Sequence, residues 1–272
     1  MNAQFVDISD AEFARVRALA MRLAGINIAP AKKTMVASRW AQRLSHYGMT
    51  SFGQYLELLS NSDARDELQV SLDLLTTNET SFFREPTHFD LLRDLPGKRS
   101  PVRGPFRVWS AACSTGEEPY SIAMVLAAIF PPVSWDVLAT DISSRVLATA
   151  AEGIYDWARG SSIPTAYMRR FCLKGTGPEE GKFLVGRELR DRVQFRRNNL
   201  NEKPQGVDAF DVIFLRNVMI YFDAATKTRV VGNLVPALIP GGILLIGHCD
   251  SLAEVAHGLE MRATSVYAKP LK

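Results

Sequence analysis

VWSAACSTGEEPYSIAM, residues 108–124, begins as a strand and ends as a helix. Val108 and Trp109, with Phe106 before them, are β-branched or aromatic. Ser110 through Gly116 are all small. Pro119 then opens an apolar run from Ile122 to Phe130, long enough for a helix. A strand, a small-residue turn and a helix start form the nucleotide-binding corner of a doubly wound α/β sheet. Here two acids, Glu117 and Glu118, stand where a phosphate needs donors. The corner therefore suits a ligand with hydroxyls and positive charge.

The flanking chain extends this corner. WDVLATD, 135–141, reads as a second strand ending in Asp141. That is where a doubly wound fold places an acid for ribose hydroxyls; the alternative is an N-cap for the helix that follows. FDVIFLRNVMIYFD, 210–223, is continuous and apolar, as a buried parallel strand should be, and ends at Arg216-Asn217. A helix is expected from about Asp223 to Leu238, a strand in IPGGILLIGH (239–248) and a closing strand in SVYAKP (265–270). The alternation predicts an α/β, mostly parallel, doubly wound sheet with ligands at the strand carboxyl ends. S-adenosylmethionine, with its ribose, amine and sulfonium, fits the charge of that crevice. Between these strands, residues 145–172 read as irregular helix. GTGPEEGKFLVGREL (175–189) and RVQFRRNNL (192–200) read as turn chemistry, with KFLV and VQFRR pairing in a small antiparallel insertion.

Residues 1–75 carry helical periodicity and no strand signal. Ser9 or Asp10 caps a first helix stopped by Gly25, and Pro30 opens a second that ends at Gly48. From Phe13 to Leu56 there is no acid, but seven Lys and Arg residues. Lys32, Arg39, Arg43 and His46 fall on one helix face. They form either a solvated surface or a docking stripe for an acidic macromolecule. LLTTNETSFFRE, 74–85, is either a capping box for a helix running to Leu95 or a lid that hydrogen-bonds a ligand and aims Arg84 at an anion. PGKRSPVRGP, 96–105, reads as a linker.

Composition excludes several classes. The chain has 272 residues and a net charge of +3, too little to mark a nucleic-acid binder. No apolar run approaches the ~18 residues of a membrane span, and the N-terminus is not a signal peptide. Cys113, Cys172 and Cys249 are widely spaced, which points to a reducing cytoplasm. His46, His88, His248 and His257 show no metal-ligand spacing, so no metal is expected.

Taken together, TTNET-FFRE, WSAACSTGEEPYS, ATDIS, GTGPEEG, RNVMIYFD and PGGILLIGH resemble the CheR-type chemotaxis receptor methyltransferases over nearly the whole chain. The resemblance implies S-adenosylmethionine-dependent esterification of glutamates on chemoreceptor cytoplasmic domains, with S-adenosylhomocysteine as product. It implies an all-helical docking domain (1–85), a linker (86–105) and a class I methyltransferase domain (106–272) with a β-subdomain at about 172–198. By motif, cofactor ligands are Asn78, Thr80, Arg84, Glu118 and Asp141, completed by Asn199-Leu200 and Asn217-Val218. Arg84 and Tyr221 lie near the transferred methyl group, and Glu117 is a helix-start charge. Partner contacts are Lys32, Arg39 and Arg43 for the receptor bundle, and Gly175, Gly177 and Gly181 for a receptor C-terminal pentapeptide. A cytoplasmic monomer without nucleic acid is expected. GHCDS, 247–251, departs from the more usual GHSES. The competing classes are a methyltransferase of the same fold acting on another protein or RNA, and a non-catalytic scaffold.

Overall fold

The computed structural model describes residues 7–95, 104–131, 134–207 and 209–271. Most of the expected linker, PGKRSPVRGP, lies outside them. The chain divides into two compact units, Met1–Thr77 with Tyr221–Thr226, and Asn78–Ile220 with Lys227–Lys272.

The first unit holds four helices, α1 (Asp10–Ala24), α2 (Lys33–His46), α3 (Phe52–Leu59) and α4 (Arg65–Leu75). Ser9 caps α1 in a reciprocal capping box with Glu12, and Gly25 ends it at φ 70°. Val16, Val36, Trp40, Phe52 and Tyr55 are fully buried between the helices. Trp40 meets Tyr55 edge-on at 5.1 Å and donates its indole N–H to the Ser71 carbonyl at 3.0 Å.

The basic stripe on α2 is largely spent inside this unit. The Arg39 guanidinium donates to the carbonyls of Leu74, Leu75 and Thr76, capping the end of α4. Arg43 pairs with the carboxylate of Glu67, which also accepts from the hydroxyls of Tyr47 and Tyr55. Lys32 alone of the three expected docking cations stays exposed without an ion-pair partner among the described residues.

Burial alone pushes the Glu67 carboxyl up; the Arg43 guanidinium and the two phenols outweigh it and hold the group below the usual range. The unfolded chain therefore binds the extra proton more readily. Stability from Glu67 is full above the ordinary carboxylate range and is lost as pH falls through the lowered folded value. Glu67→Ala leaves a half-buried guanidinium and two phenols without their acceptor. It is expected to cost about 2–4 kcal/mol in urea unfolding and to flatten the acid limb of the stability profile.

The second unit is built on a seven-stranded sheet. In chain order its first part is α5 (Thr87–Asp94), β1 (Phe106–Ser110), α6 (Glu117–Ile129), β2 (Trp135–Asp141) and α7 (Ser144–Glu152). There follow β3 (Ile154–Asp156), α8 (Thr165–Phe171), β4 (Cys172–Lys174), β5 (Lys182–Val185), α9 (Arg187–Arg190) and β6 (Val193–Arg197). The last part is β7 (Phe210–Leu215), α10 (Ala224–Leu234), β8 (Leu238–Ile246), β9 (Glu260–Ala263) and β10 (Val266–Ala268). The sheet order is β6-β2-β1-β7-β8-β10-β9, parallel through β8 and antiparallel beyond. From β1 the chain winds outward to β2, and from β7 it winds the other way to β8. The crevice between β1 and β7 is thus the switch point where ligands bind.

Two expectations are corrected. VQFRR is β6, the edge of the main sheet, parallel to β2. It cannot pair with KFLV, because KFLV is β5, the centre of the small sheet β3-β5-β4, with both of its edges used. There is also no capping box opening a helix at Thr76. The Thr76 hydroxyl donates back to the Asp73 carbonyl, closing α4, and α5 begins only at Thr87. The expected linker region 86–105 thus contains a helix.

Candidate active site

The loop after β1 is shaped by backbone that few residues tolerate. Ser114 sits at φ 49° and Gly116 at φ 97°. A Cβ on Gly116 would stand 2.7 Å from the Tyr155 hydroxyl and 2.8 Å from the Ala150 Cβ, so only glycine fits. The Tyr155 hydroxyl donates to the Thr115 carbonyl at 2.7 Å. Glu117 opens α6, where the helix-start reading puts it, but it does not face solvent. It is fully buried and pairs with Arg159 and the Thr115 hydroxyl. The reason is tertiary: the segment after β3 crosses the loop and brings Arg159 with it.

Asp141 closes the loop from the next strand. Its carboxylate accepts from the Ser114 amide at 2.9 Å and the Ser143 amide at 3.0 Å. The cap of α7 is Ser143, whose hydroxyl accepts from Val146. Asn198 donates to the Asp141 carbonyl, so Asn199 and Leu200, just past β6, lie beside the end of β2. Asn199 folds into a side-chain turn, bonding Glu202 and the Asn201 amide. The Ser114 hydroxyl donates to the Asn78 carbonyl at 2.8 Å, which draws the TTNET segment onto the loop. Thr80 follows, half-buried.

Arg216, at the end of β7, is the charge centre of the crevice. Its side chain is 1 % exposed and lies 2.9 Å from Glu118 and 3.0 Å from Glu85. It also donates to the Arg84 carbonyl. The other Glu118 oxygen accepts from Ser110 at 2.7 Å. Burial pushes the Glu118 carboxyl up more than Arg216 and Ser110 pull it down. Glu85 is also raised by burial, but Arg216, Asn217 and the His248 amide outweigh that and hold it low. Beside it, burial and then the Arg216 charge push buried His88 down to about 4.

The FFRE turn is pinned to this centre. Phe83 and Glu85 adopt φ 50° and 56°. The Phe83 amide donates to Ser121 on α6, and Phe82 and Phe83 pack on Tyr155 and Phe89. Arg84 between them donates only to the Glu79 carbonyl, at 3.2 Å, and has no carboxylate partner among the described residues. Asn217, at φ 56°, donates its amide to Asp250 at 2.6 Å and its side chain to Glu85 at 3.2 Å. A Cβ on Gly247 would lie 2.5 Å from the Asn217 side chain, so that glycine permits the crossing. Val218 is half-buried after it. Tyr221 groups with the helical unit, where its carbonyl accepts from Asn27. Gly175, Gly177 and Gly181 form the turn from β4 to β5. A Cβ on Gly175 would strike the Glu179 carbonyl at 2.0 Å.

Hydrogen bonds thus tie Asn78 and Asp141 to the loop after β1, Glu118 to Arg216 and Asn217 to Glu85, with Asn199 beside the end of β2. Sequence reasoning missed Glu85, Arg216 and Arg159, although the polar pair ending β7 pointed to Arg216. The donor set fits S-adenosylmethionine: two carboxylates stand at the ends of β1 and β2, and Arg216 is consumed by acids rather than open to phosphate. A doubly wound parallel sheet with an acid-lined switch point defines a Rossmann-like methyltransferase.

The comparisons give the family. Residues 11–76 match the CheR methyltransferase all-alpha domain and residues 78–268 the CheR methyltransferase SAM binding domain. The chain belongs to the CheR methyltransferase family and uses S-adenosylmethionine. It is 44% identical over 264 residues to the chemotaxis protein methyltransferase of Escherichia coli (strain K12), covering 96% of this chain and 91% of that one. It is 41% identical to the chemotaxis protein methyltransferase of Salmonella typhimurium (97% and 92% covered). Chemotaxis protein methyltransferase 2 of Vibrio cholerae is 32% identical (97% and 95% covered). Among the described residues no helix is long and apolar enough to cross a membrane.

Proposed function

We propose that this methyltransferase esterifies glutamate side chains on chemoreceptor cytoplasmic domains. The observation that carries this is Arg84: a guanidinium at the crevice, fixed on both sides, with no carboxylate of its own. That leaves it for a carboxylate brought by the substrate. S-adenosylmethionine, when bound, supplies an electrophilic methyl group on a sulfonium. A glutamate of ordinary pKa, about 4.3, is already ionised at pH 7 and needs no general base. What the chain supplies is alignment, worth up to about 7–11 kcal/mol in well-oriented cases. Arg84 orients the carboxylate. Asn78, Thr80 and Asp141 hold one side of the cofactor; Asn199, Leu200, Asn217 and Val218 complete the site. Glu118 is held by Ser110 and Arg216 through one bond to each oxygen, and its remaining lone pairs serve the cofactor with Asp141.

The β4 edge of the small sheet pairs with no further strand among the described residues, and Leu173 on it is 61% exposed. This edge is the proposed seat of a receptor C-terminal peptide, added as a strand. The deciding experiment is tritiated-methyl transfer to receptor cytoplasmic fragments, with and without their C-terminal pentapeptide. Base-labile label on glutamate supports the reading; label on another residue type or on RNA, or none at all, overturns it.

Two variants probe the cofactor side. Asp141→Ala loses a charged acceptor and the anchor of the Ser114 amide. It is expected to weaken S-adenosylmethionine binding at least about tenfold by calorimetry. Arg159→Ala strips the buried Glu117 of its cation and loosens the same loop. The expected result is a raised KM for the cofactor with kcat changed little; a kcat loss at unchanged KM would count against this placement.

A further inference from the structure

We propose that Glu85, His88 and His248 form a binding site for one divalent transition-metal ion of the zinc class. The sequence hides this cluster, because His248 lies far along the chain from the other two. The fold brings one ligand atom of each within 4.8 Å of the others. His88 Nδ1 is 3.5 Å and His248 Nε2 3.9 Å from the Glu85 Oε2. Ligands about 2.1 Å from a shared zinc stand about 3.4 Å apart at the tetrahedral angle. The Glu85–His88 pair already has that spacing. His248, whose side chain is 52% exposed, closes the rest by rotation and leaves an entry path from solvent.

A second observation points to a ligand. His88 is 2% exposed, yet neither of its ring nitrogens has a hydrogen-bond partner among the described residues. Buried imidazoles are normally satisfied on at least one nitrogen. An ion bound here satisfies His88 and shares the Glu85 Oε2 with the Arg216 guanidinium 3.0 Å away. Two imidazole nitrogens and one carboxylate oxygen are a zinc donor set, with a fourth position left toward solvent. The outer contacts already orient Glu85: its other oxygen accepts from the Asn217 side chain and the His248 amide, both at 3.2 Å. Arg216 is the opposing charge at 3.0 Å from Glu85, and Glu118 offsets it at 2.9 Å. An ion held here ties the loop after β8 to the turn that carries Arg84.

The test uses the full chain without an affinity tag, stripped with chelator. It is titrated with Zn2+ by calorimetry and with Co2+ as a visible-band probe of imidazole ligation. One ion per chain is expected. His248→Ala, a half-exposed position that does not threaten the fold, should weaken uptake at least about 100-fold, and His88→Gln likewise. Cys249→Ser and His257→Ala should leave it unchanged. Absence of saturable uptake, uptake that survives His248→Ala, or loss in Cys249→Ser would each overturn the site.

Discussion

Arg216→Leu is expected to lower unfolding free energy by about 3–5 kcal/mol and to abolish methyl transfer. The substitution keeps apolar volume against Phe89 and Phe214, whose rings lie 5.7 and 5.9 Å from the guanidinium. What it removes is the cation that pairs with two acids, Glu85 and Glu118. Glu118 and Glu85 would then face each other across a buried space, and burial already pushes both carboxyls up. One or both must take a proton, or the site must open to water. Either response releases the Arg84 carbonyl and frees the FFRE turn. Arg216→Lys separates charge from geometry. An ammonium restores a positive charge but cannot fork to two carboxylates. Urea unfolding should therefore place it between wild type and Arg216→Leu, with activity still low. The wild type draws stability from Glu85 above the ordinary carboxylate range and loses it as pH falls through the lowered folded value. In Arg216→Leu that dependence should shrink or reverse. Equal stability of all three proteins would refute the charge-centre role.

The sheet was legible because its signals are local. Small residues after an apolar strand, an acid ending the next strand and a continuous apolar run at 210–215 each carry their own meaning. Charge pairs carry no such period. Arg216 and Glu85, Glu117 and Arg159, and His88 and His248 meet only through the fold, so sequence spacing is silent about them. Amphipathic pattern also fails to choose a partner. Val193 is buried and Phe195 half-buried along β6, a pattern that suits a hairpin as well as a parallel edge. β9 is exposed at every position, which leaves no alternation to read. In TTNETSFFRE the residues of a capping box are present, but the Thr76 hydroxyl closes the helix before it and the Asn78 carbonyl accepts from Ser114. Phe83 and Glu85 lie in left-handed backbone that nothing in their side chains announces. The basic stripe on α2 was visible as composition; that Arg39 and Arg43 hold α4 was not.

The strained turn bears on the remaining prediction, the effect of Arg84→Ala. Left-handed backbone at Phe83 and Glu85 costs of order 1–3 kcal/mol each. The Ser121 hydroxyl, the Arg216 guanidinium and the packing of Phe83 hold it in place. The return is that Arg84, between them, is fixed with only a single backbone acceptor. Arg84→Ala is expected to lower kcat about 10²–10³-fold, the loss typical of one preorganised charged donor. Cofactor affinity should fall less than about tenfold, because Asp141 and the loop after β1 do not depend on this side chain. Tritiated-methyl transfer and calorimetry together separate the two. Arg84→Lys should recover part of kcat, since charge survives while the planar fork does not. The size of the effect is bounded from above by the chemistry itself. A carboxylate gives up negative charge as the methyl bond forms, so a guanidinium that gripped it fully would favour the ground state and slow transfer. Arg84 must therefore orient one oxygen without neutralising it. A kcat within threefold of wild type in Arg84→Ala would remove the guanidinium from the reaction and leave alignment to the cofactor side alone.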